Sequence, residues 1–125
     1  MNNELKLSTL PHTWIFDIDG TIVKHNGYLT PEGDTFLDGV EDFLKNIPAK
    51  DMIIFLTARE EIDREQTENF LKSHGIRYDH IIFNAPIGER ILINDDKPSG
   101  LATAHAIRLK RDVWENIKIV EDESL

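Results

Sequence analysis

Four short apolar runs, separated by longer amphipathic stretches, constrain the fold of this chain most strongly. The runs are rich in Ile and Phe and nearly continuous, which is typical of strands buried on both faces of a parallel sheet. They span residues 14–16, 52–56, 81–83 and 91–93. Between them, apolar residues at helical spacing predict one helix over 36–47 and another over 60–74, the second ended by Gly75. Alternating strands and helices predict an α/β domain with a mainly parallel central sheet.

Length and composition restrict the class of protein. The 125 residues suit a single domain over 1–125, and the absence of cysteine excludes a disulfide framework and a thiolate nucleophile. The formal net charge of −9 argues against a bulk nucleic-acid binder, which normally carries a basic face. The apolar runs are too short to span a membrane and no signal peptide is evident, so we expect a cytoplasmic protein without a membrane partner.

Three connecting segments carry weaker local signals. The pair Asn26-Gly27 is typical of a type I′ turn, so residues 23–29 are predicted to form a small hairpin beside the end of the first strand. Residues 101–109 fit either a small fifth strand or a short helix. Trp114 and the apolar residues after it are predicted to belong to the core rather than to an interface.

Two acidic clusters follow predicted strands. Asp17 and Asp19 are two positions apart, so in an extended chain their side chains point to the same side. Asp95 and Asp96 follow the run 91–93. The carboxyl ends of parallel strands meet at one edge of a sheet, so both clusters are expected there. Hard oxygen ligands suit Mg²⁺, which we expect at these four aspartates; the alternative for the first pair is a plain Asp-Gly turn.

The segment Thr57-Ala58-Arg59 follows the second apolar run and suits an anion site. Thr57 and Glu60 match a helix capping box, and free backbone N–H groups at a helix N-terminus bind anions, so one threonine can serve both purposes. A phosphate also needs a fixed cation, for which Arg59 is one candidate. Lys97 is preferred over Arg90, which precedes a predicted strand and is therefore expected at the opposite end of the sheet.

Together, the motif DIDGT at residues 17–21, Thr57 after one strand and Asp95-Asp96 after another resemble the haloacid dehalogenase superfamily of phosphatases. The resemblance covers about residues 13–110. It implies a three-layer, Rossmann-like domain. The gaps between the motifs leave no room for an inserted cap domain, so a capless member is expected. Within the superfamily, the chain resembles small phosphatases of the sugar- and polysaccharide-related kind.

The resemblance also implies roles for the motif residues. Asp17 would be the nucleophile that forms an aspartyl-phosphate. Asp19 would be the general acid and then the general base, with its backbone carbonyl toward Mg²⁺. Thr57 would hold a phosphoryl oxygen, and Asp95, with Asp96 beside it, would ligate Mg²⁺.

The phosphate-neutralising cation is left open by the resemblance. Many members carry a Lys well before the last acidic motif, and this sequence has none between residues 75 and 95. Lys97, Arg90 and Arg77 therefore remain candidates, with Lys97 preferred.

A phosphorylated small molecule, above all a sugar phosphate, is the expected substrate. His25 on the predicted flap is a candidate substrate contact, as are Ala58 and Arg59. An open site also leaves room for a homo-oligomer in which a second copy supplies a lid. Three alternatives remain: a polynucleotide 3′-phosphatase, which the acidic charge disfavours; a receiver-like phospho-acceptor module, which Thr57 at the end of the middle strand disfavours; and a catalytically silent binding domain.

Overall fold

The computed structural model describes residues 3–125, which form five strands and two short helices. The strands are β1 (Asn3–Leu7), β2 (Thr13–Asp17), β3 (Met52–Leu56), β4 (His80–Ile82) and β5 (Ile117–Glu121). The helices are α1 (Val40–Lys45) and α2 (Arg64–Ser73), and single 3₁₀ turns cover Gly27–Leu29 and Glu61–Asp63. None of the helices in the described residues has the length and apolar character needed to cross a bilayer.

The strands form two parallel sheets. One sheet has the order β2-β3-β4, and the other pairs β1 with β5. In the larger sheet, Asp17 pairs with Leu56 and Leu56 pairs with Ile82, so all three strands end side by side. The predicted α/β class with parallel strands is therefore confirmed, and the three strands of this sheet match three of the four apolar runs.

The core lies on one face of the larger sheet. Phe16, Ile53 and Phe55 point to this face and pack with Val40 of α1 and Leu71 of α2. The opposite face is open: its side chains include Ile15, Met52 and Ile82, which are 52%, 40% and 49% exposed. The prediction that both faces of the strands are buried is therefore wrong for this face.

The fourth apolar run forms no strand. Ile91 and Ile93 are 82% and 90% exposed, and residues 83–116 of the described chain contain neither helix nor strand. The predicted strand over 91–93 and the predicted element over 101–109 are thus wrong. Polar contacts fix both flanks of the short run instead, since Arg90 pairs with Asp17 and the Asn94 amide donates to Thr103 Oγ1 at 2.7 Å.

The helix predictions hold in part. The helix expected over 36–47 is shorter, because Gly39 immediately before α1 has a φ of 89°, which is outside the helical region. The helix expected over 60–74 is confirmed as a 3₁₀ turn followed by α2, and Gly75 follows it with a φ of 71°. Trp114 packs edge-on against Phe43, 5.2 Å between ring centroids, as expected for a core residue.

The hairpin predicted over 23–29 does not form. A type I′ turn needs positive φ at both central residues. Asn26 has a φ of 57°, but Gly27 does not take a positive φ and instead begins the 3₁₀ turn Gly27–Leu29. The chain therefore passes beside the end of β2 as a compact turn, which places Tyr28 above the site described below.

Asp51 ties the starts of β2 and β3 together. Its carboxylate accepts hydrogen bonds from the backbone N–H of His12 and from the Trp14 indole N–H, both at 3.0 Å. Burial by itself would raise the pKa of Asp51, but these hydrogen bonds outweigh it and lower that pKa below its usual range. The stabilisation from Asp51 is therefore present above its unfolded-state pKa of about 3.9, and it is lost as the pH falls through the lower folded-state pKa.

The Asp51→Asn variant is expected to lose about 1–3 kcal/mol of unfolding free energy at pH 7, because an amide has only one acceptor oxygen for two buried donors. Urea denaturation of both proteins from pH 7 down to about pH 2 measures the effect. The gap between wild type and variant should narrow below about pH 4, where the carboxyl group becomes protonated. A gap that does not change with pH would contradict this account.

Candidate active site

The candidate active site lies at the carboxyl end of β2. A shallow cavity of about 280 Å³ opens there, and it is lined by Asp17, Asp19, Gly20, Thr21, Leu109 and Arg111. Four of these, from Asp17 to Thr21, come from the end of β2 and the turn after it. In this turn the N–H groups of Thr21 and Ile22 both donate to Ile18 O. The structure thus places the predicted pair of aspartates at the predicted edge of the sheet.

Asp17 is held by two neighbours and remains accessible. The Thr21 hydroxyl donates to its Oδ2 at 2.8 Å, and Arg90 Nη1 donates to its Oδ1 at 3.2 Å. Its side chain is 34% exposed. A carboxylate that is oriented by a hydroxyl and a guanidinium, and still open to solvent, can reach an atom of a ligand in the cavity.

Gly20 allows the distant segment around Arg111 to close over the site. Gly20 has a φ of 80°, and a Cβ at this position would lie 3.0 Å from Arg111 Cγ. Its carbonyl accepts a hydrogen bond from Asp112 N at 2.8 Å. Only glycine combines this backbone conformation with this close approach, so the turn fixes Arg111 at the cavity wall.

Asp19 belongs to a buried ion-pair network. Arg59 donates from Nε and Nη2 to the two oxygens of Asp19, at 3.0 and 2.9 Å. The same guanidinium donates from Nη1 and Nη2 to the two oxygens of Asp34, at 3.0 and 2.8 Å. The side chains of Arg59 and Asp34 are 1% and 2% exposed, whereas that of Asp19 is 18% exposed.

The surroundings of Arg59 complete this network. Arg59 Nη1 also donates to Thr67 Oγ1 at 2.9 Å, and the Tyr28 ring covers the guanidinium at 4.0 Å. Burial by itself would lower the pKa of Arg59, but the hydrogen bonds to Asp19 and Asp34 outweigh it and raise that pKa further. Burial, and then the charge of Asp19, raise the pKa of Tyr28. The network therefore contains a permanently charged arginine and a neutral phenol at neutral pH.

Thr57 lies directly after β3 and is buried. Its Oγ1 accepts a hydrogen bond from Arg59 N at 3.0 Å, and its backbone is bonded to Ile82 and Ala85. The predicted capping box from Thr57 is wrong, because the box is formed one turn later by Glu60 and Asp63. A contact between Thr57 and a phosphoryl oxygen stays a prediction.

The second acidic cluster does not join the first. Asp95 and Asp96 are exposed, and Asp95 O accepts a hydrogen bond from the Thr103 hydroxyl. No group of three or more His, Cys, Asp or Glu side chains suited to a metal ion occurs within residues 3–125. The physical reason is the missing strand over 91–93, which was expected to carry these two aspartates to the edge of the sheet.

The cation beside Asp17 is Arg90, the residue that the sequence ranks below Lys97. Arg90 reaches this side of the sheet because the segment after it is not a strand. Lys97 lies in an exposed turn, in which its N–H donates to Leu101 O. Arg77 donates to the backbone oxygens of Asp51 and Pro48, which precede β3, and so lies at the other end of the sheet.

The remaining predicted contacts are more peripheral. His25 donates its backbone N–H to Asp112 Oδ1 at 2.7 Å, which fixes the backbone of His25 beside the cavity segment. Ala58 is exposed next to Thr57. Arg59, expected as a substrate contact, has all five of its N–H groups bonded within the protein.

Sequence reasoning missed Asp34 and Thr67 as members of this site. Asp34 lies in a polar stretch without periodicity, and its burial depends on Arg59, 25 positions further along the chain. Thr67 lies mid-helix, where a threonine gives no signal of its own. The charge of Arg59 was the available clue, since a buried arginine requires carboxylate partners.

Taken together, fold and site define a small α/β domain with parallel strands and an acidic pair at the carboxyl edge of the sheet. No protein-family model and no curated protein matches the chain. Among solved structures, a chain of the Pnkp1/Rnl/Hen1 complex is 31% identical with a TM-score of 0.51, over 66% of this chain and 31% of that one. A chain of the Pnkp1/Rnl/Hen1 RNA repair complex is 30% identical with a TM-score of 0.51, over 68% of this chain and 29% of that one. This chain therefore spans less than a third of the length of either.

Proposed function

We propose that this chain is a phosphomonoesterase that forms an aspartyl-phosphate on Asp17 and acts on the phosphorylated end of a polynucleotide. The observation that carries the proposal is the arrangement of Asp17 and Asp19 in one open cavity, with Arg90 and Arg111 beside them. Carboxylate nucleophiles are an established route for phosphoryl transfer, and arginines stabilise the charge on the equatorial oxygens.

The proposed reaction has two steps. In the first, an Asp17 oxygen bonds to phosphorus, the bond to the leaving oxygen breaks, and Asp19 gives that oxygen a proton. In the second, Asp19 takes a proton from water, the water oxygen bonds to phosphorus, and the bond to Asp17 breaks to release phosphate. The bidentate pair with Arg59 leaves one lone pair on each oxygen of Asp19 for this proton.

Magnesium is part of this proposal. Mg²⁺ in phosphate sites is held by one or two carboxylates together with waters and substrate oxygens. The partly exposed carboxylate of Asp17 fits that requirement, whereas Asp95 and Asp96 are not among the residues that line the cavity. When bound, the ion would neutralise charge on the phosphoryl oxygens.

A polynucleotide is proposed here in place of the sugar phosphate expected from the sequence. The similar solved chains belong to complexes that contain Pnkp1, Rnl and Hen1, one of them described as an RNA repair complex. The cavity is shallow and lined by polar groups, and exposed Arg108 and Lys110 flank its lining residue Leu109. The net charge of the chain is −9, but Arg108 and Lys110 make this edge of the cavity basic. Basic side chains contact nucleic-acid phosphates.

Phosphate release from three substrates tests the proposal. They are a 3′-phosphorylated oligoribonucleotide, the same oligonucleotide with a 5′-phosphate, and glucose 6-phosphate, each with Mg²⁺ and with EDTA. We expect Mg²⁺-dependent release of phosphate from an oligonucleotide to be at least about tenfold faster than from the sugar. The reason is that Arg108 and Lys110 can contact the phosphates of a nucleic-acid chain, which the sugar phosphate lacks. Faster release from the sugar would refute the polynucleotide substrate. Labelling of Asp17 by acetyl phosphate without any turnover would support the receiver-like alternative instead.

A further inference from the structure

We infer that Asp34 is a positioning residue, which fixes the direction of the Asp19 carboxylate through the shared guanidinium of Arg59. The inference rests on the proposed function, because it concerns the proton transfers assigned to Asp19. It adds to the site a residue that lies outside the cavity and outside the sequence motif.

The geometry is that of one arginine held by two carboxylates. Arg59 Nη2 donates to both aspartates, to Asp19 Oδ1 at 2.9 Å and to Asp34 Oδ1 at 2.8 Å. The remaining donors bind the second oxygen of each carboxylate and the Thr67 hydroxyl. A planar guanidinium with all its donors engaged has one orientation only, so the plane of Asp34 sets the plane of Asp19.

The two aspartates differ in burial, and this difference assigns them different roles. The Asp34 side chain is 2% exposed and does not line the cavity of the site, whereas the Asp19 side chain is 18% exposed and does. The ring of Tyr28 covers Arg59 at 4.0 Å and keeps water from competing for its donors. Asp34 is thus the fixed end of the network, and Asp19 is the end that meets the substrate.

The position of Asp19 matters because a general acid contributes only when it is within reach of the leaving oxygen. A correctly positioned general acid–base group raises the reaction rate about 10²–10⁴-fold, and a small displacement of that group removes much of this gain. Without the Asp34 carboxylate, the N–H groups of Arg59 Nη1 and Nη2 that it accepts from lose their acceptors. The guanidinium can then turn away from Asp19. The loss should then fall on both proton transfers assigned to Asp19, of which the first, to the leaving oxygen, depends on the substrate.

The test is the Asp34→Asn variant assayed on two substrates with different leaving groups. An alkyl phosphate needs a proton on its leaving oxygen, whereas 4-nitrophenyl phosphate releases an anion that is stable without one. We expect kcat/KM, which reports the steps up to departure of the leaving group, to fall about tenfold or more for the alkyl phosphate and to change less than about threefold for 4-nitrophenyl phosphate. Thr67→Val is the matched control: it removes a neutral hydrogen bond from the same guanidinium and should affect both substrates alike.

A second measurement keeps the inference testable without activity. Urea denaturation of Asp19→Asn, Asp34→Asn and the double variant forms a thermodynamic cycle, and we expect non-additive losses because both aspartates share Nη2. Additive losses, or equal losses of kcat/KM on both substrates, would overturn the positioning role. Wild-type protein that releases no phosphate at all would refute the proposed function itself, even with a non-additive cycle, and the role in catalysis with it.

Discussion

The Asp17→Asn variant is expected to lose phosphate release by about 10⁴-fold or more, because an amide oxygen cannot serve as the nucleophile and the two-step route is then closed. Its fold should be retained. Asp17 is 34% exposed, and an Asn can still accept the hydrogen bond from Thr21. The rate of phosphate release from the best oligonucleotide substrate, with the melting temperature measured in parallel, tests both parts of the expectation.

Asp42→Asn provides the matched control for this variant. It makes the same chemical change at an exposed position in the first turn of α1, away from the cavity. We expect its activity to equal that of wild type. Activity in Asp17→Asn above one-hundredth of the wild-type rate would show that another group attacks phosphorus, and would refute the aspartyl-phosphate route.

The second large effect is expected on stability, at Arg59. Arg59→Met keeps much of the side-chain volume but leaves the buried carboxylate of Asp34 without a cation. Removing one partner of a buried ion pair typically costs about 3–5 kcal/mol, and the lower end applies here because Asp19 is partly exposed. We therefore expect a loss of about 3 kcal/mol of unfolding free energy, which is a large share of the total for a domain of this size.

Urea denaturation at neutral pH measures this loss. Lys45→Met is the control, since it removes a cation from the exposed pair with Glu41 on α1, and such pairs contribute little. A loss for Arg59→Met no larger than that of the control would mean that the buried network does not exist in solution. Arg59→Lys should also be destabilised, because a lysine cannot donate in a planar fork to two carboxylates.

The larger sheet was predictable because its strands are continuous apolar runs. The runs over 14–16, 52–56 and 81–83 all contribute to strands of one parallel sheet. The run over 91–93 looks the same locally but is exposed. A run of three apolar residues gives too little burial to decide its own structure, and contacts made by Arg90 and Asn94 at its flanks determine it instead.

The smaller sheet could not be predicted from local pattern. In β1, Leu5 and Leu7 alternate with charged residues, a signal too brief to identify a strand. Its partner β5 lies at the other end of the sequence, with Asn3 opposite Ile117. Pairing over such a separation depends on the path of the whole chain, which periodicity does not report.

In the site, too, local sequence predicts some residues, whereas others depend on contacts between distant parts of the chain. Asp17 and Asp19 were predictable because both belong to one short motif at the end of a strand. Asp34 was not, since its environment is created by Arg59 and α2 only after folding. The preference for Lys97 over Arg90 rested on a strand that does not form, and Arg90 is the cation that pairs with Asp17 in the structure.

The pairing of β1 with β5 also affects the order in which a growing chain can acquire structure. During synthesis β1 leaves the ribosome before every other described element, yet its hydrogen-bonding partner is made after all of them. The β2-β3-β4 sheet and both helices can associate earlier, because their contacts close shorter loops. Until Ile117–Glu121 is available, β1 remains an unpaired strand that a chaperone could bind. Synthesis of β5, rather than formation of the core, is then the event that closes the segment carrying Leu109 and Arg111 of the cavity lining into a loop between β4 and β5.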